Sequence, residues 1–363
     1  MKILLKNLLL NKKKVGYLAN LIFTAYPKFQ KDVLGEFPKL ELKERITWIE
    51  VNIRKYIPKN YKQTLIILVN SLKNVDETSD FIFAPMSEFV QKNGCNKNDL
   101  KISLKTLGEF TKYFSAEFAI RDFVNKFPEE TFEKFKEWSL SKNKNQRRLA
   151  SEGLRPKLPW AKKIDFDYKR AEEILDNLYF DKSRYVVRSV ANHLNDISKI
   201  DPDFVIAILR KWKLQNKQTK KEMDYLIKHS LRTSIKKGHK KSFHFLGYKS
   251  NPKINIQNFI IKRNKIHLGE YLEFSVDVFS KNNESLLIDY KIIYPNKRNN
   301  RKSEKVFKIK KCKVLKNEII TINKKHLFKK MTTKKLYSGK HTIKIQINGE
   351  IYCEKAFFLV IPN

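Results

Sequence analysis

The spacing of apolar residues changes once along this chain, near residue 250, and that change limits the fold more than any other feature. Before it, large apolar residues recur three and four apart, as in GYLANLIFTAYPKF, LKERITWIEVNIRKYI, YKQTLIILVNSLK, LKISLKTLGEFTKYF and SRYVVRSVANHLNDIS. Such spacing gathers them on one stripe of an amphipathic helix. Pro27, Pro38, Pro58, Pro128, Pro156, Pro159 and Pro202 cut the pattern into helices of about 10–16 residues. After residue 250 the period falls to two. INIQNFIIKR, EYLEFSVDVFS, LLIDYKIIYP, KVFKIKKCKV, EIITINKK, KHTIKIQI and EIYCEKAFFLVI read as about seven short strands. KNNE, PNKRNN, SGK and NGE supply turns between them.

Two periods predict two domains of different class: an all-α domain over residues 1–250 and an all-β domain over 251–363. Seven strands in about 110 residues is the arithmetic of an immunoglobulin-like sandwich, here without a cross-sheet cysteine pair or core tryptophan. Within the helical half, FEKFKEWSLSKNKNQRRLASEG can be laid over EEILDNLYFDKSRYVVRSVANH, so that Arg148 matches Arg188 at an offset of about 40 residues. That is the repeat length of HEAT-like helical pairs, which stack into a solenoid with an extended binding wall.

Charge then narrows the partner. Seventy-six Lys and Arg stand against 38 acids, a formal net charge of +38, so the surface seeks polyanions. Residues 251–363 hold 25 basic and 9 acidic residues, roughly +16, a higher density than the helical half, which reads as a DNA clamp rather than an inert spacer. Charge alone leaves RNA and an anionic membrane open as partners. Cys95, Cys312 and Cys353 are far apart, which fits a reducing cytoplasm and excludes a zinc cluster or disulfide framework. MKILLKNLLLNKKK is interrupted by Lys6 and Asn7 and lacks a cleavage site, and no apolar run approaches the ~20 residues a membrane crossing needs. The expectation is a cytoplasmic, nucleoid-associated protein, off the membrane and monomeric.

Against this basic background a few acids ask for explanation. In RRLASEGLRPKLPW, residues 147–160, Glu152 lies among arginines ahead of two prolines and Trp160. Arg148 and Glu152 are spaced for an ordinary surface ion pair. In SAEFAIRDF, Ser115 could cap a helix and put Glu117 in its first turn, with Phe118 and Ile120 in the core. In SRYVVRSVANHLND, Val187, Val190, Ala191 and Leu194 form a core face while Arg188, Asn192 and Asp196 step along the opposite side. Asp196 then falls in the last helical turn, where the helix dipole disfavours an acid.

At these residues the chain resembles the AlkC-type DNA glycosylases, relatives of the AlkD-type enzymes built on HEAT-like repeats. The resemblance is carried by LELKERI (40–46), SAEFAIRDF (115–123), RRLASEGLRPKLPWA (147–161), VRSVANHLNDISK (187–199) and LRTSIKKGHKKSFHFLG (231–247), and covers residues 15–248. Some members carry a C-terminal immunoglobulin-like domain. The resemblance implies excision of alkylated bases, chiefly 3-methyladenine and 3-methylcytosine, from double-stranded DNA without full base flipping. It makes Glu117 and Asp196 the carboxylates at the lesion, Trp160 the aromatic beside the deoxyribose and Glu152 part of the same wall. Phe118 and Arg148 would contact or support the DNA. Asp122 stands where the family tends to have proline.

An N-alkylated base already carries positive charge, so it leaves readily, and positive charge then builds on the sugar. A carboxylate stabilises that charge and can position water; a tryptophan face adds to the attraction. Arginines and lysines, among them Arg155, Arg188, Lys236 and Lys237, hold phosphates without regard to sequence. The acids would discriminate while the basic surround binds. No lysine nucleophile, metal or small-molecule cofactor is needed, which predicts a monofunctional enzyme that leaves an abasic site. His193, His239 and His244 show no metal-ligand spacing and are expected at the surface or on phosphate. The competing reading is a non-catalytic DNA-binding or damage-sensing protein, which needs the basic surface but not Glu117, Trp160 and Asp196 together.

Overall fold

The computed structural model describes residues 4–23, 27–57, 59–295, 303–330 and 335–362. The break expected at Pro58 and residues 296–300 of the expected PNKRNN turn lie outside the described residues. The first helices are α1 Leu5–Leu9, α2 Lys12–Phe23, α3 Pro27–Glu36, α4 Leu42–Tyr56, α5 Tyr61–Ser71 and α6 Ala84–Gly94. Next come α7 Leu100–Phe110, α8 Ile120–Lys126, α9 Pro128–Ser139, α10 Lys144–Gly153 and α11 Ala171–Leu178. The series ends with α12 Arg184–Ile197, α13 Pro202–Gln215, α14 Lys220–Ser230, α15 Arg232–Lys236 and α16 Lys240–Phe245. Proline opens α3, α9 and α13, where its missing N–H costs nothing. A capping box between Glu41 and Glu44 starts α4, and the side chains of Asn60 and Asn143 accept backbone N–H groups at the starts of α5 and α10.

The chain divides into two compact units, residues 1–200 with 207–230, and residues 201–206 with 231–363. The first is an all-α, HEAT-like stack. Alternate helices pack together, α9 on α11, α10 on α12 and α12 on α14. Hydrogen bonds between successive pairs repeat the register: Asn177 to Ser139 spans 38 residues, Lys211 to Glu172 spans 39 and Arg170 to Glu129 spans 41. The echo of Arg148 in Arg188 is this period. Gly153 ends α10 against α9, because a Cβ there would meet the Phe135 ring at 2.7 Å.

The second unit holds α15, α16 and eight strands: β1 Ile254–Ile261, β2 Lys265–His267, β3 Tyr271–Ser280, β4 Glu284–Tyr294, β5 Ser303–Val314, β6 Ile319–Leu327, β7 Gly339–Ile347 and β8 Glu350–Val360. They form a three-stranded sheet, β1-β3-β6, and a five-stranded sheet, β2-β8-β7-β4-β5. Inward residues such as Val276, Val278, Ile288, Ile292, Ile343 and Phe357 build its core. The strand that the pattern misses is β2: three residues are too few to show alternation, and β2 pairs parallel to β8. At the NGE turn, Asn348 and Gly349 both have positive φ, the geometry that a two-residue hairpin favours. α15 and α16 join the strands through Lys240, paired with Glu350 at 2.9 Å, and through Phe243 beside Gly349.

Candidate active site

α8, α10 and α12 of the helical unit bring the predicted acids into one continuous chain of ion pairs. Glu117 lies in the turn before α8 rather than in its first helical turn. Its Oε2 accepts from Ser115 Oγ at 2.8 Å and meets Arg148 at 2.9 Å. Arg148 also donates to Ser115 Oγ at 2.9 Å, and its other arm approaches Glu152 at 3.5 Å, the i, i+4 spacing of α10. Glu152 meets Arg155 at 2.8 Å, Arg155 meets Asp196 of α12 at 2.8 Å, and Asp196 receives Lys199 at 2.6 Å. Three carboxylates and three cations thus alternate: Glu117, Arg148, Glu152, Arg155, Asp196, Lys199.

This corrects three expectations. The acids do not stand apart from the basic surround, since each has a cation bound. Asp196 is not a solvated residue on the open side of α12: its side chain is 1% exposed. Along the Arg188, Asn192, Asp196 stripe, exposure falls from open to half-buried to buried, because Arg155 closes over the end. The acid in the last turn of α12 is held there by Arg155 and Lys199, which offset the dipole. Arg155, expected on phosphate, spends its guanidinium inside the protein on Glu152 and Asp196. Burial pulls Arg148 and Arg155 down, but their carboxylate neighbours more than offset this and hold both above the ordinary arginine value.

His193 is a further correction. It is 0% exposed, and burial, reinforced by Arg155, pushes its pKa down to about 4. It is a neutral core residue behind the acids, not a surface group. His244 is exposed, as expected.

The acids differ in access. The side chains of Glu152 and Asp196 are 3% and 1% exposed, that of Glu117 15%. Of these three acids, only Glu117 has an oxygen, Oε1, with no hydrogen-bond or ion-pair partner among the described residues. Trp160 stands out at 74% exposure on a backbone with φ of +62°, a conformation that a bulky residue adopts only when its surroundings impose it. Lys43 of α4 donates to the Trp160 carbonyl at 2.5 Å and lies 5.9 Å from the half-buried Phe118 ring. Arg148 stacks on Tyr185 at 4.7 Å, and Arg188 is exposed.

Sequence reasoning missed Lys43, Tyr185, Lys199 and Arg121. Arg121 follows the buried Ile120 inside SAEFAIRDF, and an arginine amid core-facing residues was the available signal. Asp122 accepts from Gln91 at 2.6 Å and from Lys162 at 2.5 Å, in the first turn of α8.

Lys236, Lys237 and His239 belong to the second unit. Both lysines are exposed at the end of α15; His239 bonds Ser242 at 2.9 Å and lies 3.4 Å from Asp203. Among the described residues, no group of three or more His, Cys, Asp or Glu is arranged to hold a metal, and no helix is long and apolar enough to cross a membrane.

Comparison with known proteins places this geometry. Residues 91–238 match the family described as DNA alkylation repair enzyme, and residues 255–361 match the C-terminal Ig-like domain family of the protein YhaZ. The protein YhaZ of Bacillus subtilis is 35% identical over 350 residues, 94% of this chain and 95% of its own. The solved structure of the alkylpurine DNA glycosylase AlkC of Pseudomonas fluorescens, bound to DNA containing an abasic site analog, is 30% identical and superposes with a TM-score of 0.89. It covers 99% of this chain and 100% of its own. The chain belongs to the AlkC-type family of DNA alkylation repair proteins, with an Ig-like domain at its C-terminal end.

Proposed function

We propose that this protein is a monofunctional DNA glycosylase of base excision repair, acting on cationic alkylated bases such as 3-methyladenine and 3-methylcytosine in double-stranded DNA without full base flipping. The observation that carries the reading is the ion-paired carboxylate chain ending at the free oxygen of Glu117. A cation-bearing nucleoside meets there an acid that need not be stripped of solvent first. As the N-glycosidic bond stretches, Glu117 stabilises the oxocarbenium ion and orients the attacking water, with the carboxylates of Glu152 and Asp196 behind it. Trp160, held in the open, gives its face to the sugar, and Phe118 flanks it. The bound arginines neutralise the buried acids in the free protein, and Arg148, nearest the surface, can meet phosphate. Arg188, Lys236, Lys237 and His239 bind the DNA backbone.

The test is release of free base from N-methylated duplex, measured by chromatography. Wild type should release methylated base and leave an abasic site. Glu117→Gln should lower the rate by about 10²–10³-fold, on the order of 3–4 kcal/mol of lost transition-state stabilisation, with DNA affinity kept. Absence of release by wild type would overturn the enzyme reading in favour of a damage-binding protein. For the β unit, replacing the exposed Lys305, Lys308 and Lys313 of β5 by Ala should flatten the salt dependence of DNA binding, by about 0.9 in log–log slope for each lysine that meets a phosphate. An unchanged slope removes β5 from the clamp.

A further inference from the structure

We propose that Arg121 is a positioning residue that fixes the loop presenting Trp160, by spanning three of that segment's carbonyls from the first turn of α8. The inference rests on the role given to Trp160 above.

Arg121 is 1% exposed, and no carboxylate of the described residues lies within ion-pair distance of it. A buried guanidinium without a paired acid is costly unless its donors are fully used. Here Nε and Nη1 are used on backbone. Nε donates to the Lys162 carbonyl, and Nη1 donates to the carbonyls of Gly153 at 3.2 Å and Arg155 at 3.0 Å. Residues 153, 155 and 162 bracket Trp160. Burial and the nearby Arg155 lower its pKa to about 10, which still leaves it charged at neutral pH.

The rest of α8 grips the same loop. Asp122 holds Lys162 at 2.5 Å, Asn125 Nδ2 donates to the Lys163 carbonyl at 3.0 Å, and Asn125 Oδ1 accepts from Asp165 N–H at 2.9 Å. Lys43 closes the other side on the Trp160 carbonyl. The consequence is an exposed tryptophan on a left-handed backbone that is ordered before ligand arrives. A group held in place at the reacting sugar raises the rate of the bound complex. Arg45 offers an internal control. It is also buried and donates to the carbonyls of Lys6, Leu10, Phe37 and Leu40, none of them in the Trp160 loop.

The experiment compares full-length Arg121→Met and Arg45→Met, each with its Trp160→Phe counterpart, so that the difference in fluorescence anisotropy reports Trp160 alone. Arg121→Met should lower Trp160 anisotropy and reduce kcat for base release by about tenfold or more, with KM within twofold, whereas Arg45→Met should leave both unchanged. Combined with Trp160→Ala, Arg121→Met should add no further loss. Additive losses, or unchanged Trp160 anisotropy, would overturn the assignment. Should Arg121→Met fail to fold, Lys43→Met and Asp122→Asn loosen the same loop from its surface. Lowered Trp160 anisotropy in both supports a held loop and an unchanged value in both sinks it. The anisotropy arms need no activity, so a wild type that releases no base would remove the glycosylase reading and still leave the positioning decided.

Discussion

Two series of ion pairs cross the same helical repeats and differ in one respect, their access to water. Between α9, α11 and α13, Arg170 meets Glu129 at 2.7 Å and Lys211 meets Asp176 at 2.8 Å, with every partner at least a third exposed. Between α10 and α12, Arg155 meets Glu152 and Asp196 at the same 2.8 Å, with both acids almost wholly buried. Equal distances conceal unequal energetics. In water such a pair contributes 0–1 kcal/mol, because solvent competes for both ions. Out of water each ion depends on its partner. A repeat about 40 residues long generates cross-pairs on any face it stacks; concentrating buried acids on one face makes that face the candidate site.

Arg155 is where the buried series is most vulnerable. Arg155→Met leaves Glu152 and Asp196 buried without their shared cation and should cost about 3–5 kcal/mol of stability in urea denaturation. A loss below 1 kcal/mol would mean that the buried series behaves like the exposed one. A second effect comes from His193, which packs behind these acids. Its folded pKa of about 4 lies below the ordinary 6.5. The unfolded chain therefore takes up a proton first as pH falls, and the stability present above pH 6.5 is lost progressively toward pH 4, by about 3 kcal/mol. Measured against His193→Leu, wild type should lose stability faster across that window; parallel curves would show that the imidazole does not titrate on unfolding. The smallest effect belongs to the exposed series, where Arg170→Met should change stability by less than about 1 kcal/mol. A larger change there would erase the distinction.

Much of the helical unit was legible because its signals are local. Proline at helix starts, asparagine caps and the three-and-four spacing act within a few residues, and Arg148 echoes Arg188 because both repeats solve one packing problem. The β strands were legible for the same reason, save β2, whose three residues carry no period. The acids could be found but not described. Spacing along α12 put Asp196 on the polar stripe with Arg188, and nothing within α12 indicates that Arg155, 41 residues earlier, covers it. Glu117 sits before α8 rather than in it, a difference of a few residues that capping rules do not fix. His193 read as a surface residue because a single histidine in an amphipathic helix has no fixed side until its neighbours pack.

By itself the sequence determined the two periods, the change of class near residue 250, the positive charge and which acids and aromatics were available. These are properties of single segments, set by backbone geometry and solvation. Only the tertiary structure decided that Glu152 and Asp196 lose their water, that Arg155 turns inward, that Glu117 keeps one oxygen open and that Arg121 spans the Trp160 loop. Most of those depend on groups 31 to 41 residues apart being brought to about 3 Å, and the free energy of a charge is set by what surrounds it in space.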